Sequence, residues 1–390
     1  MKICFWATSF QADNQALASY LSRRPGFEVV VALDDPERYR QEPVWNLLPF
    51  AGRLLDRQAS STLAALEAFA PDCMIVDNHL PKRRVAPRLY VLWHGYGWRV
   101  DDLSTMKREL SRLVGPVDKP NPLFRWHAFG PFDRAYRIEH TGLAPENVVA
   151  LGSAYSDLLI PAAPHRVTFD SSAVQTHYRL DLRRPTLLLG MTWHHGGALA
   201  HWGDDQQLHE ALARHLESRG ANLLIRMHDR HRYEARDVAR MEQLMATHSN
   251  VQLKFKSSSP DSLVDVLSSA VMISNYSSFL NAFYHTGRPS IHIDPMARGG
   301  GPSYRRDWRW GRLRVRKVAD PLASWKLSPS DVGGLIAHDF PELLACVDRA
   351  LDTPACCAAL SADFNRRHVT SADGRTCERI AVGLEQWLAA

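Results

Sequence analysis

The chain has 390 residues, of which 45% are hydrophobic and 23% charged, and a formal net charge of +5. This composition excludes a disordered or fibrous protein. The mild positive charge suits an anionic substrate or membrane surface but is too weak to indicate nucleic acid, so no nucleic-acid partner is expected. The length suggests about two domains, by the prior of roughly 150 residues for each.

Hydropathy and cysteine spacing indicate the cellular compartment and the state of the thiols. No apolar run reaches the ~18 to 20 residues that cross a bilayer, and the N-terminal residues turn polar too early for a signal peptide. The six cysteines have no C-x-x-C spacing and are predicted to be reduced core thiols, and neither a metal nor another cofactor is expected. We predict a cytoplasmic protein, with peripheral contact to the inner face of the plasma membrane as an option.

The first part of the chain alternates strand-like and helix-like segments. Strands are predicted at Lys2–Ala7, Glu28–Leu33, Cys73–Val76 and Leu89–Trp93, and helices at Gln15–Arg23 and Ser60–Phe69. This order is typical of an open parallel sheet flanked by helices, which binds its ligands at the carboxyl ends of the strands.

A stretch rich in Pro, Ser and charge between Ile160 and Arg184 indicates a domain boundary. Beyond it, strands are predicted at Thr186–Gly190, Asn222–Met227, Val251–Phe255, Val271–Ser274 and Ser290–Ile293, and helices at Asp205–Ser218, Ala235–Thr247, Pro341–Leu351 and Cys377–Leu388. We therefore predict an α/β fold with two Rossmann-like domains facing across a cleft. Residues 1–165 form the first domain, 166–365 the second, and 366–390 a C-terminal helix able to pack back on the first.

The stretch from Ser262 to Asp294 combines strand, turn, short helix and strand. The apolar run Ala270–Ile273 predicts the strand, and a hydroxyl-rich turn follows. The first backbone N–H groups of the next helix, beside the hydroxyls of Ser277 and Ser278, form an arrangement that suits an anionic phosphate. The alternative is that the two serines only cap the helix.

Two histidines follow predicted strands. His94 is followed by Gly95, and His228 lies two residues after Arg226. A histidine can transfer a proton near neutral pH, and an arginine can stabilise phosphate charge. The alternatives are that His94 only hydrogen-bonds a loop, and that Arg226 pairs with a local acid such as Asp229 while His228 is exposed on the surface.

Other segments could also contact a substrate. The turns at Leu151–Asp157 and Gly190–Gly197 both follow strands. The tract Gly299–Lys317 contains seven basic and three aromatic residues. In this tract, the candidates for contact with a phosphate-bearing acceptor or with anionic lipid heads are Arg305, Arg306, Trp308 and Arg309. The alternative for the tract is an exposed loop and strand with solvated arginines.

Five short motifs resemble, in order and approximate spacing, those of the CDP-glycerol glycerophosphotransferases. They are W-H-G at 93–95, L-G-S-A-Y-S-D at 151–157, M-T-W at 191–193, R-x-H at 226–228 and N-Y-S-S at 275–278. The likeness covers roughly residues 85 to 300, and the opening F-Q-A-D-N-Q-A-L is also similar to an early turn of that family. These enzymes build wall teichoic acids and related capsules and have two Rossmann-type halves of the GT-B kind.

The resemblance implies roles for individual residues. His94 and His228 would form the acid/base pair, with His94 as the base. The contacts to the donor and its phosphates would come from Arg226, Asn275, Ser277, Ser278, Gly95 and Asp294. The first domain would face the acceptor and the second would bind the nucleotide-linked donor. Three departures from the family's motifs bear on the identity of the donor: Tyr96-Gly97 in place of Thr-Pro, Asp229 in place of Pro, and Asn275 in place of Asp.

The function implied is transfer of glycerol phosphate, or a similar alditol phosphate, from a CDP-linked donor to an acceptor hydroxyl, with release of CMP. The acceptor would be lipid-linked or an oligosaccharide. Two enzymatic alternatives are a GT-B glycosyltransferase that uses a CMP- or UDP-sugar and a nucleotide-sugar epimerase. A third alternative is a catalytically silent binding subunit of a surface-polymer assembly.

Overall fold

The computed structural model describes residues 1–77, 79–93, 95–98, 104–190, 199–200, 202–293, 303–309, 312–318 and 325–390. These residues group into two compact units. Unit 1 comprises Met1–Tyr96, the described residues from 104 to 168, and Asn365–Ala390. Unit 2 comprises Gly97, Trp98 and the described residues of Phe169–Phe364. Two residues of the loop that follows W-H-G therefore group with the second unit.

Unit 1 is built on a seven-stranded parallel sheet. Its strands are β1 (Lys2–Trp6), β2 (Glu28–Leu33), β3 (Arg53–Asp56), β4 (Cys73–Val76), β5 (Arg88–Val91), β6 (Phe124–Ala128) and β7 (Val148–Ala150). They lie in the order β3-β2-β1-β4-β5-β6-β7, which begins with the Rossmann order. Because helices cover a parallel sheet on both faces, strands such as β4 are buried at every residue and consist of an uninterrupted apolar run.

Unit 2 repeats this topology. Its strands are β8 (Thr186–Gly190), β9 (Asn222–Met227), β10 (Val251–Phe255), β11 (Val271–Ser274), β12 (Ser290–Ile293), β13 (Ser303–Arg309), β14 (Arg312–Val318) and β15 (Leu335–Ala337). Six of them form a parallel sheet in the order β10-β9-β8-β11-β12-β15, while β13 and β14 form a separate antiparallel ribbon. The strand order of the parallel sheet reverses between β8 and β11, which is the switch point where open α/β sheets bind ligands.

The described α-helices number fifteen. They are α1 (Ala12–Arg23), α2 (Pro36–Gln41), α3 (Val44–Leu47), α4 (Thr62–Phe69), α5 (Ser104–Val114), α6 (Pro131–Glu139), α7 (Ser156–Leu159), α8 (Ser171–Val174), α9 (Asp205–Ser218), α10 (Ala235–Thr247), α11 (Leu263–Ser268), α12 (Ser278–Tyr284), α13 (Phe340–Asp352), α14 (Ala358–His368) and α15 (Thr376–Ala389). The core of unit 2 lies where apolar residues of α9, α10 and α13 pack on the parallel sheet.

The C-terminal helix α15 is held within unit 1 by polar contacts. The fully buried carboxylate of Asp157 accepts hydrogen bonds from the backbone N–H groups of Thr376 (2.9 Å) and Cys377 (2.7 Å). Near the other end of the helix, the indole N–H of Trp387 donates to the carbonyl of Pro122 at 2.8 Å. The turn after β7, a predicted candidate for substrate contact, thus uses its aspartate to cap a helix.

Two buried histidines make the stability of unit 2 sensitive to acid. His285 and His292 are 5% and 0% exposed, and burial lowers the pKa of His285 to about 4 and that of His292 to about 3. Both pKa values lie below the ordinary value of 6.5, so the unfolded chain takes up protons that the folded chain excludes. The stabilisation is therefore complete above pH ~6.5 and is lost as the pH falls toward the folded-state values.

We expect the free energy of unfolding to fall between pH 7 and pH 5 by about 2 kcal/mol for each of these histidines. Urea unfolding followed by tryptophan fluorescence at both pH values measures the change. The His292→Gln variant is expected to lose roughly half of this pH dependence, whereas the exposed His177→Gln control should keep it. An equal pH dependence in His292→Gln and the parent protein would contradict the argument.

Candidate functional site

The N-Y-S-S motif lies at the switch point of unit 2. Strand β11 ends at Ser274, the turn occupies Asn275 to Ser277, and α12 begins at Ser278. The Ser274 hydroxyl donates to the carbonyl of Gly190 at 2.6 Å, which joins the ends of β11 and β8. The motif is therefore located where this type of sheet binds its ligands.

The N-Y-S-S turn contains a strained residue. Tyr276 has φ +60°, a left-handed conformation that costs a residue other than glycine about 1–3 kcal/mol. Its ring packs against His292 (centroids 4.6 Å apart) and Trp325 (4.9 Å), and its hydroxyl donates to the carbonyl of Pro329 at 2.8 Å. Because these contacts hold an unfavourable conformation in place, the turn is preorganised.

The two serines of the motif flank the start of α12. The Ser277 hydroxyl oxygen accepts a hydrogen bond from the Phe279 N–H at 3.2 Å, so the predicted capping role is present. Among the described residues, none accepts a hydrogen bond from the backbone N–H of Ser278. Both serines are half-buried, and Asn275 is buried at 4% exposure. Capping by Ser277 leaves the Ser278 N–H and both hydroxyl hydrogens available for an anion.

The loop after W-H-G contacts this turn. A Cβ atom added to Gly97 would lie 3.5 Å from the Cβ and 3.7 Å from the backbone N of Ser278. The neighbouring Trp98 is fully buried, its indole N–H donates to the carbonyl of Asp331 at 2.8 Å, and its ring meets the edge of Tyr276 at 5.7 Å. A side chain at position 97 would therefore lie in van der Waals contact with Ser278, beside its backbone N.

The backbone before position 94 is also strained. Trp93 has φ +66° although it is a bulky residue, and Gly95 has φ +138°. The Trp93 side chain is 5% exposed, packs on Trp126 with centroids 5.3 Å apart, and lies 5.2 Å from the guanidinium of Arg137. Strain held in place by buried contacts is concentrated at functional sites. The predicted site residues His94 and Asp294, and the turn at 191–198, lie outside the described residues.

His228 begins the loop that follows β9. Its Nδ1 lies 2.8 Å from the Oδ2 of Asp229, and its backbone N–H donates to the hydroxyl of Tyr233 at 2.9 Å. Burial lowers the pKa of His228, and Asp229 offsets this only in part. Burial would raise the pKa of Asp229, but His228, Lys256 and Arg232 outweigh it and lower that pKa. At neutral pH, a neutral imidazole therefore lies beside an ionised carboxylate.

The strands place His228 within reach of the N-Y-S-S turn. Strands β9 and β11 flank β8, and both end at the same edge of the sheet. Strands that are two apart are separated by ~10 Å. A nucleotide diphosphate group can therefore extend from the turn to the loop that contains His228.

The loop after His228 also lines a cavity of about 490 Å³. This volume lies within the ~300 to 1,000 Å³ that is usual for small-molecule sites. The lining residues include two basic groups and are Arg230, His231, Tyr233, Ala235, Val238 and Ser257. The cavity thus provides space for part of a ligand beside the loop that follows His228.

Arg226 lies in a buried ionic network. It is 7% exposed, one guanidinium nitrogen pairs with Asp265, and another donates to the carbonyl of Ser259 at 2.8 Å. Asp265 also accepts a hydrogen bond from Lys254 at 2.7 Å. The alternative that Arg226 pairs with Asp229 is therefore wrong, because its partner is an acid 39 residues further on, on α11.

The two carboxyl groups of the network differ in pKa. Burial would raise the pKa of Asp265, but Lys254 and Arg226 outweigh it and lower that pKa, so this carboxylate is ionised. Burial and repulsion by Asp265 raise the pKa of the neighbouring Asp261. Asp265 is thus the charged partner that Arg226 and Lys254 share.

The basic tract forms the β13–β14 ribbon. Arg305 pairs in register with Arg316, Asp307 with Arg314, and Arg309 with Arg312. Residues alternate between the two faces of a ribbon, and these three pairs are two residues apart. All six positions therefore lie on one face, and five of them are arginines and one is an aspartate. Arg312 and Arg314 are exposed. The side chains of the predicted contact residues Arg305, Arg306, Trp308 and Arg309 lie outside the described part of the chain.

Within the described residues, no group of three or more His, Cys, Asp or Glu residues could hold a metal ion. No helix in the same part of the chain is long and apolar enough to cross a membrane.

Sequence reasoning missed two features of the site. Asp229 is predicted above as an alternative partner for Arg226 and as a departure from the family's Pro, but not as a partner of His228, although an acid directly after a candidate catalytic histidine is an available signal. The strained φ of Tyr276 had no signal in the sequence, because its cause is packing against residues that are distant in the chain.

Comparisons with known proteins give the fold. No protein-family model and no curated protein sequence matches the chain. Among solved structures, the wall teichoic acid polymerase TagF matches with a TM-score of 0.68 and 14% identity, over 100% of this chain and 89% of that one. The UDP-GlcNAc 2-epimerase of Neisseria meningitidis, bound to UDP-GlcNAc, matches with a TM-score of 0.57 and 13% identity, over 99% of this chain and 100% of that one. The structure of S. aureus MnaA with UDP matches with a TM-score of 0.55 and 12% identity, over 100% of this chain and 97% of that one.

The prediction of an α/β fold with two Rossmann-type sheets is confirmed. The resemblance to teichoic acid enzymes is likewise confirmed at the level of the fold. The chain has two parallel sheets of the GT-B type, as TagF and the UDP-GlcNAc 2-epimerases do.

Proposed function

We propose that this protein transfers glycerol phosphate, or a similar alditol phosphate, from a CDP-linked donor to an acceptor hydroxyl and releases CMP. The observation that carries the proposal is the strained N-Y-S-S turn at the switch point of unit 2, with His228 at the end of a strand in the same sheet. The motifs shared with the CDP-glycerol glycerophosphotransferases and the TagF-like fold support it.

The donor's diphosphate is proposed to bind at the N-Y-S-S turn. The Ser278 N–H, the hydroxyls of Ser277 and Ser278, and the amide of Asn275 are the donors for its oxygens. Arg226 is proposed to act through its charge, because its guanidinium already holds Asp265. The remaining proposed donor contacts are Gly95 and Asp294.

In the proposed reaction, the acceptor oxygen attacks the β-phosphorus of the donor. A new O–P bond forms, and the bond from the β-phosphorus to the bridging oxygen breaks, so that CMP leaves with that oxygen and its electron pair. The proton of the acceptor hydroxyl passes to a histidine, and His94 and His228 are the proposed residues for proton transfer. Fixed donors and buried cations stabilise the charge that develops on the diphosphate.

A donor panel tests this function. The purified protein is incubated with CDP-glycerol, CDP-ribitol, CMP-sugars or UDP-sugars, each with a lipid-linked or oligomeric acceptor, and release of CMP and UDP is measured. Release of CMP from a CDP-alditol that depends on the acceptor supports the proposal. Release of UDP alone would indicate a sugar transferase, conversion of a UDP-sugar without nucleotide release would indicate an epimerase, and donor binding without turnover would indicate a binding subunit.

The arginine face of the β13–β14 ribbon is the proposed contact for an anionic acceptor, together with Arg306 and Trp308. Strand residues two apart are ~7 Å apart, so the arginines form a regular row for successive phosphates. The double variant Arg312→Gln/Arg314→Gln is expected to raise the KM for a phosphate-bearing acceptor about tenfold, because each lost contact removes roughly 0.7 kcal/mol of binding free energy. The KM for the donor should not change.

A matched control for the ribbon removes two exposed arginines elsewhere in unit 2. Arg183→Gln/Arg236→Gln makes the same charge change, and the parent side chains are 86% and 72% exposed. The control is expected to leave the KM for the acceptor unchanged. Equal effects of the two double variants would show that only net charge matters. Loss of binding to phosphatidylglycerol vesicles with an unchanged KM would assign the ribbon to a membrane surface.

A further inference from the structure

The loop that contains His228 fixes the imidazole from several sides. The backbone N–H of His228 donates to the Tyr233 hydroxyl at 2.9 Å, and the Asp229 carboxylate lies 2.8 Å from the imidazole Nδ1. Asp229 is itself held, because the Nε of Arg232 donates to its Oδ2 at 3.1 Å and the backbone N–H of Arg232 donates to its carbonyl at 2.9 Å. Contacts within the six residues from His228 to Tyr233 therefore contribute to holding the loop and the Asp229 carboxylate beside the ring.

Two groups compete for the Nδ1 atom of His228. The Asp229 carboxylate, at 2.8 Å, requires a proton on Nδ1, while the Asp229 backbone N–H, at 2.9 Å, requires a lone pair there. An ionised carboxylate at this distance from a lone pair is repulsive, whereas an N–H group loses little by turning to water in a half-buried loop. The proton therefore lies on Nδ1, and the Nε2 of the neutral ring presents a lone pair.

The charged groups around His228 act in opposite directions. Lys256 and Arg232 disfavour a positive imidazole, as burial does, and Asp229 favours it. The result is a ring that is neutral before the reaction and has a carboxylate in place to stabilise the charge once a proton arrives. This combination suits a general base, which needs an unprotonated nitrogen at first and stabilisation of the imidazolium later.

We propose that His228 is the base that takes the proton of the acceptor hydroxyl at Nε2, and that Asp229 is the positioning residue that gives His228 this role. The inference rests on the transfer reaction proposed above, and it moves the base from His94 to His228. As the acceptor oxygen bonds to phosphorus, its proton passes to Nε2, and the imidazolium returns this proton to solvent after CMP has left with the bridging oxygen.

The Asp229→Asn variant tests the inference by turnover. An asparagine amide donates to Nδ1 and so moves the ring proton to Nε2, which removes the lone pair. We expect kcat for CMP release from CDP-glycerol to fall by about 10²- to 10⁴-fold, with the KM for the donor changed by less than about threefold. Asp229→Glu should restore part of kcat. Asp352→Asn makes the same chemical change in an exposed surface pair with Arg219 and should leave kcat unchanged.

A second readout does not depend on any donor. In protein labelled with ¹⁵N-histidine, the nitrogen chemical shifts of His228, assigned with a His228→Asn variant, report which ring nitrogen carries the proton. We expect the Nδ1–H form in the parent protein and the Nε2–H form in Asp229→Asn. An Nε2–H ring in the parent, or a kcat for Asp229→Asn within about threefold of the parent, would overturn the inference. If no donor is turned over, the proposed function fails while the chemical shifts still decide the role of Asp229.

Discussion

The Asp265→Asn variant is expected to lower the free energy of unfolding by about 3–5 kcal/mol. Asp265 is fully buried and is the shared partner of Arg226 and Lys254, which are themselves 8% and 10% exposed at their side chains. Without the carboxylate, two buried cations lose their compensating charge, and their desolvation cost is no longer offset. Urea denaturation followed by circular dichroism measures the loss.

A surface pair provides the control for this variant. Asp352 pairs with Arg219, and its side chain is 62% exposed. Water screens such a pair, so Asp352→Asn is expected to change stability by less than about 1 kcal/mol. A loss for Asp265→Asn that is no larger than the loss for Asp352→Asn would show that the network around Arg226 does not stabilise unit 2 as described.

The His228→Ala variant is expected to lose CMP release by about 10²- to 10⁴-fold while the protein stays folded. The His228 side chain is 32% exposed, so its truncation leaves no large cavity. Donor binding should persist, because the proposed phosphate contacts lie on the N-Y-S-S turn. The measurements are acceptor-dependent CMP release, the Kd for CDP-glycerol and urea unfolding.

An exposed histidine of unit 2 serves as the matched control. His177→Ala removes an imidazole outside the proposed site and should leave kcat within about threefold of the parent. His94→Ala should also abolish turnover, because the resemblance places that residue in the reaction. Undiminished turnover in His228→Ala would remove His228 from the chemistry and would overturn the inference about Asp229 as well.

Much of the second sheet could be predicted from the sequence. The predicted strands Thr186–Gly190 and Asn222–Met227 coincide with β8 and β9, because strands of a parallel sheet that are covered on both faces are continuous apolar runs. The prediction of the first sheet is less complete. Strands β3 and β6 were not predicted, because Arg53–Asp56 is short and half exposed and Phe124–Ala128 contains Arg and His. Neither segment has the apolar signal on which strand prediction depends.

The site could be predicted only where adjacent residues define it. The N-Y-S-S turn and the position of His228 after a strand follow from local order, since the carboxyl ends of parallel strands share one edge of the sheet. The partner of Arg226 could not be read from the sequence, because Asp265 comes from a helix 39 residues further on. The strain at Tyr276 and the contact of Gly97 with Ser278 likewise depend on tertiary packing.

Transfer of the donor's β-phosphorus to the acceptor is the step that defines the proposed reaction, and a phosphorus radiolabel at that position follows it. The protein is incubated with β-labelled CDP-glycerol and a purified acceptor, and nucleotides and acceptor are then separated and counted. We expect label in the acceptor, unlabelled CMP in equal amount, and loss of both in the His228→Ala variant. Label that stays in the nucleotide fraction, or that appears as free glycerol phosphate whether or not acceptor is present, would contradict it.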